Sequence, residues 1–170
     1  MLFRSTEKLN WLNAHYIKQA DNARLAALIR PRLADQGITV SELPALDAIV
    51  SLYKERVDNL NALAAAARAF YTEPAPAAEL LAQHLTPESR PLLADFIAGL
   101  RDVAWEVHAI NALIKQCISQ HGVKMPKLAM PLRILLTGQA QTPSVDALIT
   151  LFPREIALER LVREIGRAHV

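Results

Sequence analysis

The sequence has few cysteine, glycine and aromatic residues, and each shortage narrows the choice of fold. Its 170 residues include one cysteine, five glycines and 5% aromatic residues. A lone cysteine excludes an intramolecular disulfide, and the apolar helical pattern around Cys117 predicts a buried, unreactive thiol. Because aromatic residues and glycine are scarce whereas alanine and leucine are abundant, the composition favours helices over strands.

Long apolar runs and charge of one sign are also lacking. No run approaches the roughly 18 apolar residues of a membrane-spanning helix, and the N-terminal sequence MLFRSTEKLNW lacks a signal-peptide pattern. We therefore predict a soluble protein of the reducing cytoplasm, without a membrane partner. The net charge of +2 and the pI near 8.9 are only weakly basic, so they do not by themselves indicate a nucleic-acid partner.

The sequence motifs of catalysis and metal binding are missing as well. The chain has no glycine-rich phosphate loop, no His/Cys spacing typical of zinc sites and no nucleophile elbow. Glu155 and Glu159 lie four residues apart, a spacing that a solvent-exposed helix face explains better than acid–base catalysis. The histidines fall on different predicted elements, which disfavours a shared metal site: His15, His84, His108, His121 and His169. We predict no catalytic residue, no metal site and no cofactor in this chain.

What the sequence does contain is a regular helical pattern and a large apolar fraction. Hydrophobic residues make up 52% of the chain, enough for a substantial core without disulfides or metal. The segment Thr72–Pro76, TEPAP, has two prolines within three residues and cannot continue a helix. We predict an all-α fold of about ten helices, arranged as two consecutive helical-bundle subdomains, residues 1–73 and 74–170.

Apolar spacing and cap residues predict the helices of the first subdomain. A helix over 6–20 places three residues on one face, namely Leu9, Leu12 and Tyr16. A second helix over 21–35 contains Pro31, which should kink or split it. Its predicted inward residues are Leu25, Leu28 and Leu33. Ser41 and Asp58 are predicted to start the third and fourth helices.

A corner in the second subdomain, Lys124–Ser144, combines prolines, a glycine and basic residues. Pro131 is predicted in the first turn of a short helix, where its missing N–H costs nothing, with Arg133 on the side away from the leucines. Gly138 is predicted to end that helix in a left-handed conformation, and Thr142-Pro143 to begin the next one as cap and first residue. The corner has no nucleophile–base pair, so it suits recognition, although periodicity alone favours an ordinary helix–turn–helix.

Three stretches together resemble one known family. Residues 7–18, EKLNWLNAHYIK, are similar to the pattern E-K-L-x-W-[ML]-N-G-x-Y-I-[RK], and residues 56–60, RVDNL, to R-[VF]-x-T-L. Residues 122–138 are similar to G-x-K-x-G-x-x-x-x-P-L-R-x-x-[LV]-T-G. These patterns are typical of the C-terminal anticodon-binding region of bacterial-type glutamyl-tRNA synthetases, which the chain resembles nearly end to end. Pro126 departs from a usual glycine, and Met130 stands where a polar glutamine is frequent.

The resemblance implies the anticodon-binding fold of a class I aminoacyl-tRNA synthetase. The chain would then bind the anticodon loop of glutamate tRNA on behalf of a glutamate–tRNA ligase, an enzyme that attaches glutamate to tRNA using ATP. Because the family's catalytic signatures do not occur here, the chain would be a fragment without the catalytic domain. ATP and magnesium are implied only for that domain, which is a further expected partner. We expect a monomer that does not bind DNA.

The resemblance also implies which residues contact RNA. Arg56 matches an arginine that reads the third anticodon letter in some family members, and its N–H donors suit the acceptors of cytosine but oppose the donors of guanine. The other positions matched to anticodon contacts are Met130, Arg133, Thr142, Pro143 and Val145. The candidates for contact with backbone phosphates are Lys115, Lys124 and Lys127.

Alternatives remain open for the residues and for the function. Without the resemblance, Arg56 is a solvated arginine at a helix end, Thr142 is a simple cap and Trp105 is a core residue. The alternative function is that of a non-catalytic all-α scaffold that binds a protein partner, including a free-standing paralogue of the anticodon-binding region.

Overall fold

The computed structural model describes residues 2–167, and within this range its secondary structure consists of ten α-helices and one short 3₁₀ turn, with no β-strand. The predicted all-α fold is therefore confirmed. The helices form two compact units, Met1–Glu73 and Pro74–Val170, which divide within the segment 72–76 that holds two prolines. None of the described helices combines the length and the apolarity needed to cross a bilayer.

The first unit contains four helices and the 3₁₀ turn. They are α1 (Leu2–Gln19), α2 (Asn22–Asp35), α3 (Leu46–Tyr53), the turn Lys54–Arg56 and α4 (Leu60–Tyr71). α2 packs against both α3 and α4, and the alanines of α4 allow a close approach. Residues buried in this core include Ile17, Leu25, Ile29, Leu33, Ile49, Val50, Leu63, Ala64, Ala67 and Phe70. Removal of these side chains from water supplies the main driving force for folding of the unit.

The predicted split of α2 at Pro31 and the predicted inward position of Leu28 are both wrong. The helix runs unbroken through Pro31, because its buried stripe of Leu25, Ile29 and Leu33 packs on both sides of the proline and offsets the missing backbone hydrogen bond. Leu28 lies beside that stripe and is exposed, so it does not point inward as predicted.

The predicted starts of α3 and α4 are also displaced. α3 begins at Leu46, whereas the Ser41 hydroxyl donates a hydrogen bond of 2.8 Å to the Leu43 carbonyl in the preceding turn. Asn59, the residue after Asp58, is the cap of α4, since its Oδ1 accepts a 2.8 Å hydrogen bond from the Ala62 backbone N–H.

The second unit contains six helices. They are α5 (Ala78–His84), α6 (Ser89–Leu100), α7 (Val107–Gln120), α8 (Met125–Thr137), α9 (Val145–Leu151) and α10 (Arg154–Arg167). α8 packs against each of α5, α6, α7, α9 and α10, which makes it the central helix. The core around it includes Leu92, Leu93, Phe96, Leu100, Ile110, Leu128, Leu132, Leu136, Leu148, Phe152 and Leu161.

Trp105 lies in the segment immediately before α7, which begins at Val107. The indole Nε1 donates a hydrogen bond of 2.8 Å to the Phe152 carbonyl, and the Arg154 guanidinium lies 5.0 Å from the indole ring centroid. Arg154 also donates to the Val103 carbonyl at 2.7 Å. These contacts attach the segment before α7 to the start of α10, which gives Trp105 a structural role.

Candidate nucleic-acid interface

The corner is built on α8, which begins earlier than predicted. Lys124 is at the cap position and Pro126 in the first turn, so the prediction that Pro131 occupies the first turn is wrong. Pro131 lies in the interior of the helix and is buried. Because proline lacks an N–H, the Lys127 carbonyl one turn earlier loses the backbone donor that it would have in a regular helix.

The end of α8 is as predicted at Gly138. This glycine is left-handed, with φ of 77°, and its N–H donates to the Ile134 carbonyl at 2.8 Å. The Leu136 carbonyl in the last turn accepts a hydrogen bond of 2.6 Å from Arg160 Nη1, and the Arg160 guanidinium lies 4.8 Å from the Phe152 ring centroid. A pairing between residues this distant in sequence leaves no local pattern, so the sequence did not predict a structural role for Arg160.

Arg133 is a half-buried cation without an anionic neighbour among the residues that the structure describes. Its Nε is buried and has no acceptor among the described residues. Its Nη1 contacts only the weak acceptor Met130 Sδ, at 3.8 Å. A buried donor left unpaired costs about 1–3 kcal/mol, so an acceptor from a ligand would be favourable at this side chain.

The side chains at the start of α9 are sealed inside the unit. Thr142 is 4% exposed and Val145 is 5% exposed, and Pro143 is buried too. The Thr142 hydroxyl donates a 2.8 Å hydrogen bond to the Pro143 carbonyl, whereas Ser144 holds the cap position and makes no side-chain cap bond. The predicted helix start at Thr142-Pro143 is therefore wrong, because packing draws Thr142 inward and the helix begins two residues later.

A basic cleft lies between α5 and the first half of α8, and we call it the α5–α8 cleft. It has a volume of about 400 Å³, and its lining includes His84, Thr86, Lys124, Lys127, Met130 and Pro131. The two lysines are exposed, whereas Met130 and Pro131 supply apolar surface. A backbone hydrogen bond, together with a hydrogen bond from Thr86 and the charge of Lys127, lowers the pKa of the nearby Glu88 carboxyl. The cleft thus places two cations beside apolar side chains.

The remaining candidate cations are solvent-exposed. Lys115 lies on α7 of the second unit and Arg56 in the 3₁₀ turn of the first unit. The Arg56 guanidinium has no hydrogen bond or ion pair with any described residue. Burial raises the pKa of the neighbouring Tyr53 to about 12, although the charge of Arg56 acts to lower it.

Metal-binding side chains do not converge in the part of the chain that the structure describes. No group of three or more His, Cys, Asp or Glu side chains is placed to hold a metal ion there, and His169 lies outside the described residues. His121 Nε2 lies 2.6 Å from Asp95 Oδ2, which joins α7 to α6. Cys117 is buried as predicted, and burial raises the pKa of its thiol.

Two curated glutamate–tRNA ligases are similar to nearly the whole chain. The glutamate–tRNA ligase of Janthinobacterium sp. (strain Marseille) is 54% identical over 159 residues, which is 94% of this chain and 34% of that protein. The glutamate–tRNA ligase of Dechloromonas aromatica (strain RCB) is 54% identical over 151 residues, 89% of this chain and 32% of that protein. The chain therefore spans about a third of the length of the curated relatives it matches.

A solved structure has the same fold. The crystal structure of a glutamate tRNA ligase from Elizabethkingia meningosepticum, in complex with its amino acid, aligns with a TM-score of 0.82 over 94% of this chain and 32% of that chain. At 24% identity this likeness is one of fold. The model of the anticodon binding domain matches residues 24–165, which confirms the resemblance found in the sequence, and the chain belongs to the anticodon binding domain family.

Proposed function

We propose that the chain binds the anticodon loop of glutamate tRNA and does so as part of a glutamate–tRNA ligase in the cytoplasm. The observation that carries this proposal is Arg133, a half-buried guanidinium with no anionic partner among the described residues, in a chain that belongs to an anticodon-binding family. The ATP and magnesium that the ligation uses would be held by the remainder of the ligase.

Arg133 suits RNA for a simple electrostatic reason. A partly desolvated cation is unfavourable unless an acceptor or an anion completes its shell. Single-stranded RNA loops offer both, since phosphates carry charge and unstacked bases expose carbonyl and ring-nitrogen acceptors. Guanidinium groups also stack on base planes. We expect Arg133 to contact a phosphate or a base edge of the loop, with the thioether of Met130 beside it.

The lysines supply attraction that does not depend on sequence. Exposed lysines that contact phosphates release counterions, so affinity falls as the salt concentration rises. Lys124 and Lys127 frame the α5–α8 cleft, where a base can lie on the apolar surface while its phosphate meets an ammonium. We expect Lys115 to add a further phosphate contact. Because the side chains of Thr142, Pro143 and Val145 are buried, contacts there would use backbone groups.

The test is the affinity of the chain for the anticodon stem–loop of glutamate tRNA, measured by fluorescence anisotropy at two salt concentrations. We expect Arg133→Gln to weaken binding about 10-fold or more, the loss typical of one charged hydrogen-bonded contact. Arg101→Gln removes the same charge from an exposed side chain of the same unit and serves as the control. Equal effects of the two substitutions would contradict the role of Arg133. A chain that binds no stem–loop at all would favour the protein-interaction scaffold.

A further inference from the structure

The part of the α5–α8 cleft formed by Met130 and Pro131 is apolar. Met130 is half-buried and Pro131 is buried, and both line the cleft. Proline has no N–H and a thioether is only a weak acceptor, so neither side chain can form a strong hydrogen bond with the edge of a base. These two residues therefore offer contact area to a flat group without imposing a pattern of donors and acceptors.

The threonine that lines the cleft is already engaged within the chain. Thr86 Oγ1 accepts a hydrogen bond of 3.3 Å from the Ser89 backbone N–H. Besides a backbone hydrogen bond, one from the Thr86 hydroxyl lowers the pKa of the Glu88 carboxyl. Because a hydroxyl has a single hydrogen to donate, Thr86 has no donor left for the edge of a base.

The other polar side chains of the cleft do not present a fixed pattern either. Gln83 is exposed and His84 is half-buried. An amide and a neutral imidazole each contain both a donor and an acceptor, so each can adapt to different base edges. The ammonium groups of Lys124 and Lys127 are flexible point charges that attract a phosphate whatever base it carries. The cleft therefore combines attraction for RNA with weak means of distinguishing its bases.

We propose that Met130 makes the α5–α8 cleft a base-tolerant subsite, which takes up one unstacked base of the anticodon loop by stacking and does not select its identity. The inference rests on the proposed function and specifies how one part of the interface contributes to it. Stacking is tolerant because every base has a flat face, and a methionine sulfur makes favourable contacts with aromatic rings. The subsite would add affinity for the loop without adding selectivity.

The neighbouring guanidinium explains why the chemistry of residue 130 decides the selectivity. Arg133 Nη1 lies 3.8 Å from Met130 Sδ, a weak contact that holds neither side chain firmly. Met130→Gln would keep the length of the side chain, but the new carbonyl would accept a charged hydrogen bond from that guanidinium. Its NH₂ group would then be held in one orientation, and a held donor distinguishes bases that present an acceptor from bases that present a donor. The thioether leaves the subsite without such a donor.

Fluorescence anisotropy with a set of anticodon stem–loops tests the inference. Each loop nucleotide in turn is replaced by the other three bases and by an abasic nucleotide. We expect one position at which the abasic nucleotide weakens binding about 10-fold, through the loss of one stacked base. At that position the four bases should bind within about 3-fold of one another. Met130→Ala should reduce the abasic effect at that position and at no other, because only there does the base contact residue 130.

Met130→Gln should convert the subsite into a selective one. We expect the bases that bind most and least tightly at that position to differ by about 10-fold in this variant, with the other positions unchanged. Met125→Gln is the matched control, because Met125 is exposed at the start of the same helix and is not among the described residues that line the cleft. This control should leave the four bases equivalent.

The possible results separate the inference from the proposed function. Base selection at every position where an abasic nucleotide weakens binding would overturn the inference alone, as would a Met130→Gln chain that stays unselective at all of them. If circular dichroism shows that Met130→Ala does not fold, the comparison of Met130→Gln with Met125→Gln decides. A chain that binds none of the stem–loops would refute the proposed function and the inference with it.

Discussion

Arg133 and Arg160 are two arginines of the second unit with opposite surroundings. Arg160 donates to the Leu136 carbonyl at 2.6 Å and lies over the Phe152 ring, so its polar and flat surfaces are both used within the fold. Arg133 has a buried Nε without an acceptor among the described residues and a weak contact with sulfur. A side chain that serves folding and one that serves a ligand should respond differently to removal of the charge.

We predict that Arg133→Met leaves the free energy of unfolding unchanged or raises it by about 1 kcal/mol, because it removes an unpaired buried donor. Arg160→Met should lower it by about 1–3 kcal/mol, through the lost charged hydrogen bond and the lost contact with the ring. Urea unfolding followed by circular dichroism measures both. A loss of stability from Arg133→Met as large as that from Arg160→Met would make Arg133 a structural residue.

At the scale of residues, the sequence predicted which side chains could contact RNA better than it predicted which side chains are buried. The resemblance singled out Arg133 and Arg56 as candidate contacts, and the structure leaves both guanidinium groups without an anionic partner among the described residues. The burial of Thr142 was not predictable, because Thr142 and Ser144 are both favoured cap residues by type. Only tertiary packing decides which of them faces inward.

At the scale of elements, the helices were predictable from apolar periodicity and their ends were less so. Gly138 ended α8 as expected, because a left-handed residue there favours glycine. The two prolines were poor indicators of helix boundaries, since both Pro31 and Pro131 lie inside continuous helices. The buried residues around them hold the helix together where one backbone bond is missing, and this depends on contacts that a local pattern does not contain.

The caps of α4 and α9 give a matched pair of substitutions. Asn59→Ala should lower the free energy of unfolding by about 1 kcal/mol, because the Asn59 side chain accepts a hydrogen bond from the Ala62 N–H. Ser144→Ala should change it by only a few tenths of a kcal/mol, since Ser144 makes no side-chain cap bond. Urea unfolding of the two variants checks this, and the reverse order of the two effects would contradict the assigned caps.

At the scale of the whole molecule, the all-α class and a break near residues 72–76 could be read from composition and from two closely spaced prolines. The exposure of α1 could not be read from the sequence, because its apolar spacing is the same whether the face packs inside the unit or stays open.

Stability as a function of pH belongs to this scale, and a buried tyrosine of the first unit contributes to this pH dependence. Burial raises the pKa of Tyr53 to about 12, above the usual 10.0.

Because the pKa of Tyr53 is higher in the folded state than in the unfolded state, its contribution to stability is complete below pH 10. As the pH rises from 10 to about 12, this contribution is lost and the free energy of unfolding falls by about 2–3 kcal/mol. We predict that Tyr53→Phe reduces this alkaline loss, as measured by urea unfolding between pH 9 and pH 12. Tyr16→Phe removes an exposed tyrosine and should leave the loss in place. An unchanged decline in Tyr53→Phe would assign the pH dependence to other groups.

The most direct measurement of anticodon reading is the affinity of the chain for glutamate tRNA against the same tRNA with the third anticodon letter changed from C to G. Arg56 is exposed and without a partner among the described residues. One good polar contact to a base favours the correct base over a wrong one by about 1–3 kcal/mol. The account predicts tighter binding of the C form by about 10-fold, a preference that Arg56→Ala abolishes and Arg30→Ala retains. Equal affinities for the two tRNAs in the unsubstituted chain would contradict it.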